Sequence, residues 1–488
     1  MKLTRLIKSL EGCNVNYHLA DFEVKGISAD SKGIREGFVF VAIRGSGADG
    51  NAFIDEAIKN GAGAVVVAAS ELTARNLYKA PVVTVSDPRK ALAMLAVEFY
   101  GNPGQKIKIA GITGTNGKTT ISYLLEALLK KSGKNPAVIG TINYRFKDKL
   151  IPAKNTTPGP VELQSMLAQM LEEKVDYAVM EVSSHALDQD RALGIPFHSA
   201  LFTNLTQDHL DYHKTLEDYF QAKARLFTGL AKDSFAVINT DDPYGRRLAA
   251  MTEAKVISYG IDQPADIMAQ DIKFDISHTE FTLDAAGQSI KLKSRLIGRH
   301  NVYNLLACAG WAVNAGFSLK ILQSALEDFS CVPGRLEPVQ TNRGFSVFVD
   351  YAHTDDALNN VIRTLRQVAQ GKIIVVFGCG GDRDRLKRPR MGAIAAQLAD
   401  YAVITSDNPR SEDPLEIIKE IKEGITKDNY CVVADRMEAI KKALSIASNG
   451  DIVLIAGKGH ENYQVIKDKV LQFDDREAVK KCLGLMRS

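Results

Sequence analysis

The sequence predicts an α/β protein built from three domains, and three observations support that prediction. Short apolar runs alternate with helix-like segments along most of the chain, a pattern typical of sheets with parallel strands. The length of 488 residues exceeds what one hydrophobic core usually supports. Breaks rich in glycine and proline at 101–106 and 331–337 then place the domains at residues 1–98, 99–333 and 334–488.

Composition and charge narrow the class of protein. Hydrophobic residues make up 45% of the chain and charged residues 24%, which is usual for a globular protein. With 61 basic and 58 acidic side chains the net charge is +3, which argues against nucleic acid as a partner. Six scattered cysteines without a CxxC pair indicate reduced thiols and argue against a disulfide framework or a zinc site.

The start of the chain and its apolar runs bear on location. The segment MKLTRLIKSLEG lacks the long apolar stretch and the small residues of a signal peptide. Apolar runs such as "KIIVVFG" have the length of a strand and fall far short of a membrane span. We therefore expect a cytoplasmic protein with no membrane span.

In the first domain, short strands and helices alternate. The segments "GFVFVAI" (37–43) and "GAVVVAA" (63–69) are strand-like. The segment "FIDEAIKNG" (53–61) between them is helix-like.

The second domain opens with a glycine-rich loop, "GITGTNGKTT" at 111–120. It follows the apolar run "IKIAGIT" and precedes a helix whose apolar residues recur at i, i+3, i+4, i+7 and i+8 from Ile121, ending near Gly133. Free backbone N–H groups and the helix dipole favour a phosphate at such a place. Lys118 would reach the terminal phosphates, and Thr119 would offer its hydroxyl to Mg²⁺.

An alternative interpretation of this loop is a plain turn that contains a lysine by chance. The common phosphate-binding loop has glycine five residues before the glycine of Gly-Lys-Thr. Here Ile112 occupies that position, and the glycines stand at 111 and 114 instead.

Further along the second domain, polar residues follow predicted strands. Glu181 ends the strand "YAVMEV", where an acid near a phosphate loop can bind Mg²⁺ directly or through water.

His209 and His213 are four residues apart and could form a zinc pair, but the acid of a HExxH motif is missing, so we rank zinc below Mg²⁺ or capping. The helix at 215–227 begins after Thr215 as N-cap, and its Lys223 is by composition alone a solvated side chain. Residues 266–293 alternate with period two, which predicts a β-hairpin excursion.

In the third domain, five apolar strand-like runs alternate with helix-like segments. This pattern predicts a doubly wound, Rossmann-like sheet. Ligands of such sheets bind at the carboxyl ends of the strands. Three polar loops occupy those ends: "GCGGDRDR" (378–385), "SDNPR" (406–410) and "GKGHE" (457–461).

The motifs along the chain resemble those of the Mur ligases, the cytosolic ATP-dependent enzymes that add amino acids to the peptidoglycan precursor. In the order of that family the chain carries "GTNGKTT", "EVSSHAL", "TNLTQDHLDYH", "YFQAKARLF", "GRHNVYN", "PGRLE", "VDYAH" and "GKGHE". The segments "NTTPGPVELQ", "GCGGDRD" and "SDNPR" are similar to those of members that add a diamino acid. The resemblance covers nearly the whole chain and favours the phosphate loop over the chance turn.

The resemblance implies a function, cofactors and site residues. The function is ATP-dependent addition of meso-2,6-diaminopimelate to UDP-N-acetylmuramoyl-L-alanyl-D-glutamate through an acyl-phosphate, by a protein expected to be a monomer. The implied ATP-binding residues are Gly114, Thr115, Asn116, Gly117, Lys118, Thr119, Thr120, Asn301, Arg335 and Asp350. The implied catalytic residues are Lys118, Glu181, His209 and Lys223, and the implied Mg²⁺ ligands are Thr119, Glu181, His209 and Lys223, the last as a carbamate formed with CO₂.

The remaining implied residues bind the other two substrates. Those for the UDP end of the muramoyl-peptide are Ala29, Ser31, Ser46, Gly47 and Ala48. Those for its peptide part are Asn155, Thr156, Thr157, Ser183, Gln189 and Arg191. Those for diaminopimelate are Arg383, Asp407, Asn408, Pro409, Arg410, Gly457 and Glu461.

Three positions depart from the family pattern, and two other functions stay open. Lys32 replaces the usual arginine near the uridine site, Asp355 replaces a proline, and Asp190 replaces a frequent histidine. The same chemistry with L-lysine, or a folylpolyglutamate-type ligase, is the alternative enzyme. A non-catalytic nucleotide-binding module is the other class, but it would not need Glu181, His209 and Lys223 together.

Overall fold

A computed structural model describes residues 1–10, 13–16, 21–45, 48–71 and 80–485. The chain divides into two units. The first unit comprises Met1–Ile267 and Ala307–Ile321, and the second comprises Met268–Leu306 and Leu322–Ser488.

Helices occur throughout the described chain, mostly between strands. The α-helices are α1 (Leu3–Leu6), α2 (Ile54–Lys59), α3 (Pro88–Phe99), α4 (Lys118–Lys131), α5 (Pro160–Glu172), α6 (Ser184–Asp188), α7 (Leu210–His213), α8 (Leu216–Thr228), α9 (Pro243–Met251), α10 (Arg299–Asn314), α11 (Leu319–Asp328), α12 (Asp355–Arg366), α13 (Lys387–Leu398), α14 (Pro414–Lys422), α15 (Arg436–Ile446) and α16 (Asp475–Cys482). Short 3-10 helices span Ile7–Ser9, Ser31–Gly33, Gly50–Phe53, Ala69–Glu71 and Pro103–Lys106.

The strands alternate with these helices. Those before residue 261 are β1 (Asn14–Asn16), β2 (Gly26–Ser28), β3 (Phe38–Val41), β4 (Ala62–Ala68), β5 (Val82–Val85), β6 (Lys108–Thr113), β7 (Pro136–Ile139), β8 (Asn143–Phe146), β9 (Lys149–Pro152), β10 (Tyr177–Glu181), β11 (Phe197–Phe202), β12 (Phe235–Asn239) and β13 (Lys255–Gly260). The later ones are β14 (Ile267–Phe274), β15 (Thr279–Ala285), β16 (Gln288–Ser294), β17 (Glu337–Val339), β18 (Ser346–Asp350), β19 (Ile373–Phe377), β20 (Tyr401–Ile404), β21 (Tyr430–Val432), β22 (Ile452–Ala456), β23 (Tyr463–Ile466) and β24 (Lys469–Gln472).

The first sheet has the order β1-β5-β4-β3-β2, and its strands are parallel except for β1. Val39 and Val41 belong to one apolar cluster and Phe40 to another, because successive side chains of a strand point to opposite faces. The strands predicted at 37–43 and 63–69 are confirmed as β3 and β4, and the helix predicted at 53–61 as α2.

A larger sheet of the first unit carries the glycine-rich loop. From β13 its order is β13-β12-β11-β6-β10-β7-β8-β9, parallel as far as β7 and antiparallel from β7 to β9. The predicted strand before the loop is β6, and the predicted helix after it is α4. Ile121, Leu124 and Leu125 of α4 are fully buried, as the apolar spacing predicts.

The β excursion has three strands where the sequence predicted a hairpin. β15 pairs antiparallel with β16, from Thr279 opposite Ser294 to Ala285 opposite Gln288. β14 precedes them and is next to β15 in the sheet order. Alternate residues of β15 are buried, which explains the period of two in the sequence.

The last sheet confirms the predicted doubly wound arrangement. Its order is β17-β18-β22-β19-β20-β21, and all pairs are parallel except β17 with β18. β23 and β24 form a separate antiparallel hairpin. The predicted fold class, α/β with parallel sheets, is therefore confirmed, while the boundaries at 98 and 333 stay a prediction.

Candidate active site

The glycine-rich loop joins β6 to the start of α4. Gly114 and Gly117 have φ angles of 143° and 92°, a region that favours glycine. A Cβ atom at Gly114 would lie 1.8 Å from Thr203 Oγ1, so a larger residue does not fit there. Ile112 is completely buried inside β6, so the position that carries glycine in the common pattern belongs here to the strand.

Lys118 is folded back over this loop. Its Nζ donates hydrogen bonds of 2.8 Å to the carbonyl oxygens of Gly114 and Thr115. Gly117 caps α4 without a side chain, so the helix N-terminus faces the loop through backbone N–H groups alone. The arrangement suits an anion at the loop, with the ammonium group beside it.

Glu181 ends β10, the neighbour of β6, and its side chain is almost completely buried. Thr119 Oγ1 and Thr141 Oγ1 each donate a hydrogen bond of 2.9 Å to Glu181 Oε2. The backbone N–H of Thr141 donates one of 3.1 Å to Oε1. The predicted partners Thr119 and Glu181 are therefore in direct contact.

The donors at this place fit Mg²⁺. The hydroxyl of Thr119 and the carboxylate of Glu181 are hard oxygen ligands, which Mg²⁺ prefers. Within the described ranges, no three His, Cys, Asp or Glu side chains are grouped so that they could hold a metal by themselves. This donor set suits an ion that takes its other ligands from phosphate oxygens and water.

Lys223 lies in α8, and only 1% of it is exposed. Its Nζ donates a hydrogen bond of 3.0 Å to Gly114 O and lies 4.4 Å from the centre of the Tyr219 ring. Burial, helped by the positive charge of Lys118 and opposed by Asp208, holds the pKa of the Lys223 amine well below its usual range. The interpretation of Lys223 as a solvated helical lysine is therefore wrong.

His209 is the residue before α7 and has a left-handed backbone, with φ of 54°. Its ring centre lies 4.8 Å from that of His185 and 6.1 Å from that of Tyr219. Burial lowers the pKa of His209, and the charges of Lys118 and Lys223 act on it in the same direction. His209 therefore lies near Lys118 and Lys223, the two lysines that donate hydrogen bonds to the glycine-rich loop.

His213 gives no support to the zinc alternative. Its Nε2 is 2.9 Å from Ser184 Oγ in a buried hydrogen bond. The His213 side chain is therefore hydrogen-bonded to α6. The ring centres of His213 and His185 are 5.4 Å apart.

The residues predicted to bind the peptide part surround Glu181. Thr157 Oγ1 donates a 2.8 Å hydrogen bond to Glu181 O and accepts one of 3.1 Å from the N–H of Ser183. The hydroxyl oxygens of Thr156 and Thr141 are 3.1 Å apart. The network joins the loop before α5 to the carboxyl end of β10.

Arg191 joins two more of these residues. Its guanidinium donates to Gln189 Oε1 at 2.7 and 3.1 Å and to Thr157 O at 3.1 Å. Asn155 O accepts a 2.6 Å hydrogen bond from the Tyr144 hydroxyl. The six residues predicted from separate motifs thus belong to one connected part of the first unit.

Of the residues predicted for the UDP end, the structure describes Ala29, Ser31 and Ala48. Ser46 and Gly47 fall outside the described residues, and Ala29 and Ala48 are exposed. Ser31 is buried, and its Oγ donates a 2.7 Å hydrogen bond to Glu56 Oε2. The Ser31 hydroxyl is therefore hydrogen-bonded to a residue of α2.

Three residues predicted for ATP belong to the second unit, and Asn301 is the first of them. Its Nδ2 donates to Ile297 O at 2.9 Å, and its Oδ1 accepts from Asn304 Nδ2 at 3.0 Å. Its amide is thus fixed at the start of α10.

Asp350 and Arg335 are the other two. Asp350 ends β18 and accepts hydrogen bonds from the N–H groups of Leu336 (2.7 Å) and Ala352 (2.8 Å). Burial raises the pKa of Asp350, against the effect of nearby Arg335. The Arg335 guanidinium lies 5.0 Å from the centre of the Tyr351 ring, and its Nε is buried without a hydrogen-bond partner.

The loop after β20 meets the loop after β22. The buried residues of the loop after β20 include Asp407, Asn408 and Pro409. Asn408 Nδ2 donates to Glu461 Oε2 at 2.9 Å, and Lys458 Nζ donates to Asn408 Oδ1 at 3.2 Å. Asp407 Oδ2 is buried and has no hydrogen-bond partner, and a Cβ atom on Gly457 would lie 2.6 Å from it. Burial and the charge of Asp407 raise the pKa of Glu461.

Arg410 follows this loop and has a left-handed backbone, with φ of 50°. Its Nη1 donates a 2.8 Å hydrogen bond to Gly381 O in the loop after β19. Glu412 lies two residues after Arg410 in the chain, but its carboxylate is bonded to Arg388 at 2.8 Å. Arg383, also predicted here, is exposed.

Comparison with known proteins then decides the family. Three family descriptions match the chain: "Mur ligase family, catalytic domain" at residues 23–100, "Mur ligase middle domain" at 112–312 and "Mur ligase, glutamate ligase domain" at 334–459. The chain belongs to the Mur ligase family.

Two diaminopimelate ligases are similar to this Mur ligase over nearly the whole length of both chains. The UDP-N-acetylmuramoyl-L-alanyl-D-glutamate–2,6-diaminopimelate ligase of Clostridium tetani is 45% identical over 487 residues, which cover 99% of each chain. A solved structure of a ligase with the same name is 33% identical, covers 99% of each chain and has a TM-score of 0.71. The folylpolyglutamate synthase of Mycobacterium tuberculosis, with a TM-score of 0.65 and 19% identity, covers 80% of this chain and 94% of its own. At that identity the last match shows the fold alone.

Thr141 lies in none of the motifs of this Mur ligase, and Tyr219, the first residue of "YFQAKARLF", was assigned no role from the sequence. Thr141 follows β7 and contacts Glu181 across 40 residues of sequence, and no local pattern marks it. Tyr219, in contrast, had a signal: it precedes Lys223 by four residues in α8, and Phe227 follows by four. That spacing places the lysine on the buried face of the helix.

Proposed function

We propose that this Mur ligase adds meso-2,6-diaminopimelate to UDP-N-acetylmuramoyl-L-alanyl-D-glutamate at the expense of ATP. The observation that carries the proposal is the similarity to the Clostridium tetani ligase over 99% of both chains. The contacts around the glycine-rich loop and around Asn408 support it, because they group the residues predicted from separate motifs.

The reaction has two chemical steps. The γ-carboxylate of the D-glutamyl residue attacks the γ-phosphorus of ATP, the bond to the bridging oxygen breaks, and ADP leaves. An amine of diaminopimelate then attacks the acyl carbon of the acyl-phosphate. Phosphate leaves, the nitrogen loses a proton, and an amide remains.

The first step brings two anions together, so positive charge has to offset the repulsion. Lys118 holds an ammonium group beside the loop, and the start of α4 adds backbone N–H groups. We assign ATP to residues Gly114 to Thr120 on this basis. Asn301, Arg335 and Asp350 are proposed for the adenine, phosphates and ribose.

Mg²⁺ is proposed to bind at Thr119 and Glu181, with His209 and carbamylated Lys223 as further ligands. When bound, the ion would neutralise charge on the phosphate oxygens. A lysine ammonium would repel a cation, whereas a carbamate offers oxygen ligands. Carbamylation joins the neutral amine to CO₂ and releases one proton, and the burial of Lys223 favours that neutral form.

The other residues are proposed to hold the two acceptors. Arg191 and Thr157, with their bonded neighbours, lie beside Glu181 and would bind the peptide part of the nucleotide. Asp407 has a buried carboxylate oxygen that makes no hydrogen bond and lies 3.9 Å from Arg436 Nη1. An oxygen that can still accept a hydrogen bond suits the ammonium group of an amino acid. Arg410 would bind the distal carboxylate that distinguishes diaminopimelate from L-lysine.

Two alternatives are less well supported. The same reaction with L-lysine would leave Arg410 without its carboxylate. A folylpolyglutamate-type ligase is expected to lack a UDP-binding domain, whereas residues 23–100 here match a Mur ligase family description.

The three domains predicted at 1–98, 99–333 and 334–488 are proposed to bind UDP, ATP and the amino acid. Among the helices that the structure describes, none combines the length and the apolar character needed to cross a membrane. From the resemblance to the cytosolic Mur ligases, we propose that the protein acts in the cytoplasm, as a monomer.

The experiment is an assay of ADP release with the full-length protein and omitted substrates. We expect turnover only when ATP, Mg²⁺, the UDP-muramoyl-dipeptide and meso-diaminopimelate are all present. Turnover with L-lysine at equal efficiency would favour the first alternative, and turnover with a folate and glutamate the second. ATP binding without dependence on either acceptor would indicate a non-catalytic module.

A further inference from the structure

We propose that Arg388 is a positioning residue that fixes Arg410 in the orientation needed to select a diamino acid with a second carboxylate. The inference rests on the proposed function, since it concerns the same amino-acid site. Arg388 belongs to none of the motifs that the sequence assigned to substrates.

Arg388 lies in the first turn of α13, and its side chain is completely buried. Its Nη1 and Nη2 donate to the two carboxylate oxygens of Glu412 at 2.9 and 2.8 Å. Nη1 also donates to Glu420 Oε2 at 2.9 Å, and Nη2 to Gly380 O at 3.3 Å. A guanidinium with two parallel hydrogen bonds to one carboxylate fixes its position and its orientation.

Glu412 passes this constraint to the loop after β19. Its Oε1 accepts a 2.6 Å hydrogen bond from the backbone N–H of Asp382. Asp382 in turn accepts from the hydroxyl (2.6 Å) and the N–H (3.2 Å) of Ser411. The hydrogen bond from Arg388 lowers the pKa of Glu412 to about 2, so the carboxylate is charged throughout the neutral range.

The constraint ends at Arg410. Gly381, the residue before Asp382, donates its N–H to Asn408 O at 2.9 Å and accepts from Arg410 Nη1 at 2.8 Å. A Cβ atom on Gly381 would lie 2.0 Å from Pro409 O, so the two loops are in close contact. The position of the Gly381 carbonyl therefore determines where the Arg410 guanidinium points.

Burial of the Arg388 guanidinium is a costly way to stabilise a fold, because this charge loses its hydration completely, while Glu412 and Glu420 remain 24% and 19% exposed. An apolar residue in the same place would often stabilise the fold as well or better. Holding two loops in one register, so that Arg410 meets its carboxylate, gives the charge a function that an apolar residue could not perform.

The test compares Arg388→Met and Arg388→Lys with wild type for meso-diaminopimelate and L-lysine. We expect Arg388→Met to raise KM for diaminopimelate on the order of tenfold or more, as for a lost hydrogen bond to a charged group. Its preference over L-lysine should fall, and KM for ATP should stay unchanged. Arg388→Lys should recover part of the preference, since it keeps the charge but not the paired geometry.

Arg390→Met is the matched control. Arg390 is on the same helix, is 59% exposed at its side chain and lies 3.8 Å from Asp355. We expect its kinetics to match wild type. An Arg388→Met enzyme that folds and keeps its full preference for diaminopimelate would overturn the proposal, whatever its thermal midpoint.

Two further measurements cover other outcomes. If Arg388→Met does not fold, Glu412→Gln is the second variant, because it removes the negative charge and turns one of the two acceptor oxygens for Arg388 into a donor. It should also lower the preference, and unchanged preference there overturns the proposal. Hydrogen exchange of 378–385 and 406–413 needs no turnover. If wild type rejects diaminopimelate, the proposed function and the selective role of Arg410 fail together, while faster exchange in Arg388→Lys still shows that Arg388 holds the two loops. Unchanged exchange contradicts the positioning role itself.

Discussion

Lys223 Nζ donates a hydrogen bond of 3.0 Å to the carbonyl oxygen of Gly114, which lies 109 residues earlier in the chain. The contact joins the buried face of α8 to the loop between β6 and α4. Lys118 donates to the same carbonyl oxygen at 2.8 Å. Two lysines therefore share one acceptor, and their mutual repulsion favours a neutral amine on the buried one.

Lys118→Ala should abolish efficient use of ATP while the protein stays folded. The ammonium group offsets charge that develops on the phosphates, and loss of such a group costs on the order of a hundredfold or more in rate. The measurement is kcat/KM for ATP. Lys130→Ala on the same helix, whose lysine pairs with Glu126 at 2.7 Å, is the control and should be near wild type. Near-normal turnover of Lys118→Ala would show that the loop is only structural.

Lys223 should carry a carbamate in the active enzyme. Buried as it is, the amine loses its charge readily and can react with CO₂. Nuclear magnetic resonance with ¹³C-labelled bicarbonate should show one carbamate signal that is absent from Lys223→Ala, and removal of bicarbonate should lower activity. A bare ammonium at high resolution, with full activity in bicarbonate-free buffer, would contradict this prediction.

Arg410→Ala should remove the preference for meso-diaminopimelate over L-lysine. In wild type we expect kcat/KM to differ on the order of 10³ or more, because a site built around a polar partner rejects the analogue that lacks it. The variant should lose activity with diaminopimelate and change little with L-lysine. Comparable kcat/KM for both amino acids in wild type would refute the assignment.

Thr141→Val should weaken the binding of Mg²⁺. The change keeps the shape but removes the hydroxyl that donates to Glu181 Oε2 at 2.9 Å. A hydrogen bond to a charged group contributes about 1.5–3 kcal/mol, so we expect a higher Mg²⁺ concentration for half-maximal activity. Thr228→Val, whose hydroxyl donates to Ala224 O at 3.3 Å in α8, is the control. An unchanged Mg²⁺ requirement would show that Thr141 only supports the fold.

Features that depend on neighbouring residues in the chain could be predicted from the sequence. The apolar spacing from Ile121 defined α4, and Thr215 marked the start of α8, where it accepts from Asp218 N at 3.0 Å. The strands β3, β4, β6 and β10 were evident as short apolar runs. Such signals are local because a helix or strand is specified by periodicity and capping over a few residues.

Contacts between distant segments of the chain could be found only in the three-dimensional structure. Burial of Lys223 depends on what covers α8, and the role of Thr141 depends on β7 lying beside β10. Arg388 meets Glu412 only because the ends of β19 and β20 are neighbours in a parallel sheet. These pairings arise from sheet order and side-chain packing, which no local pattern encodes, and they set the charge states and orientations on which the proposed chemistry depends.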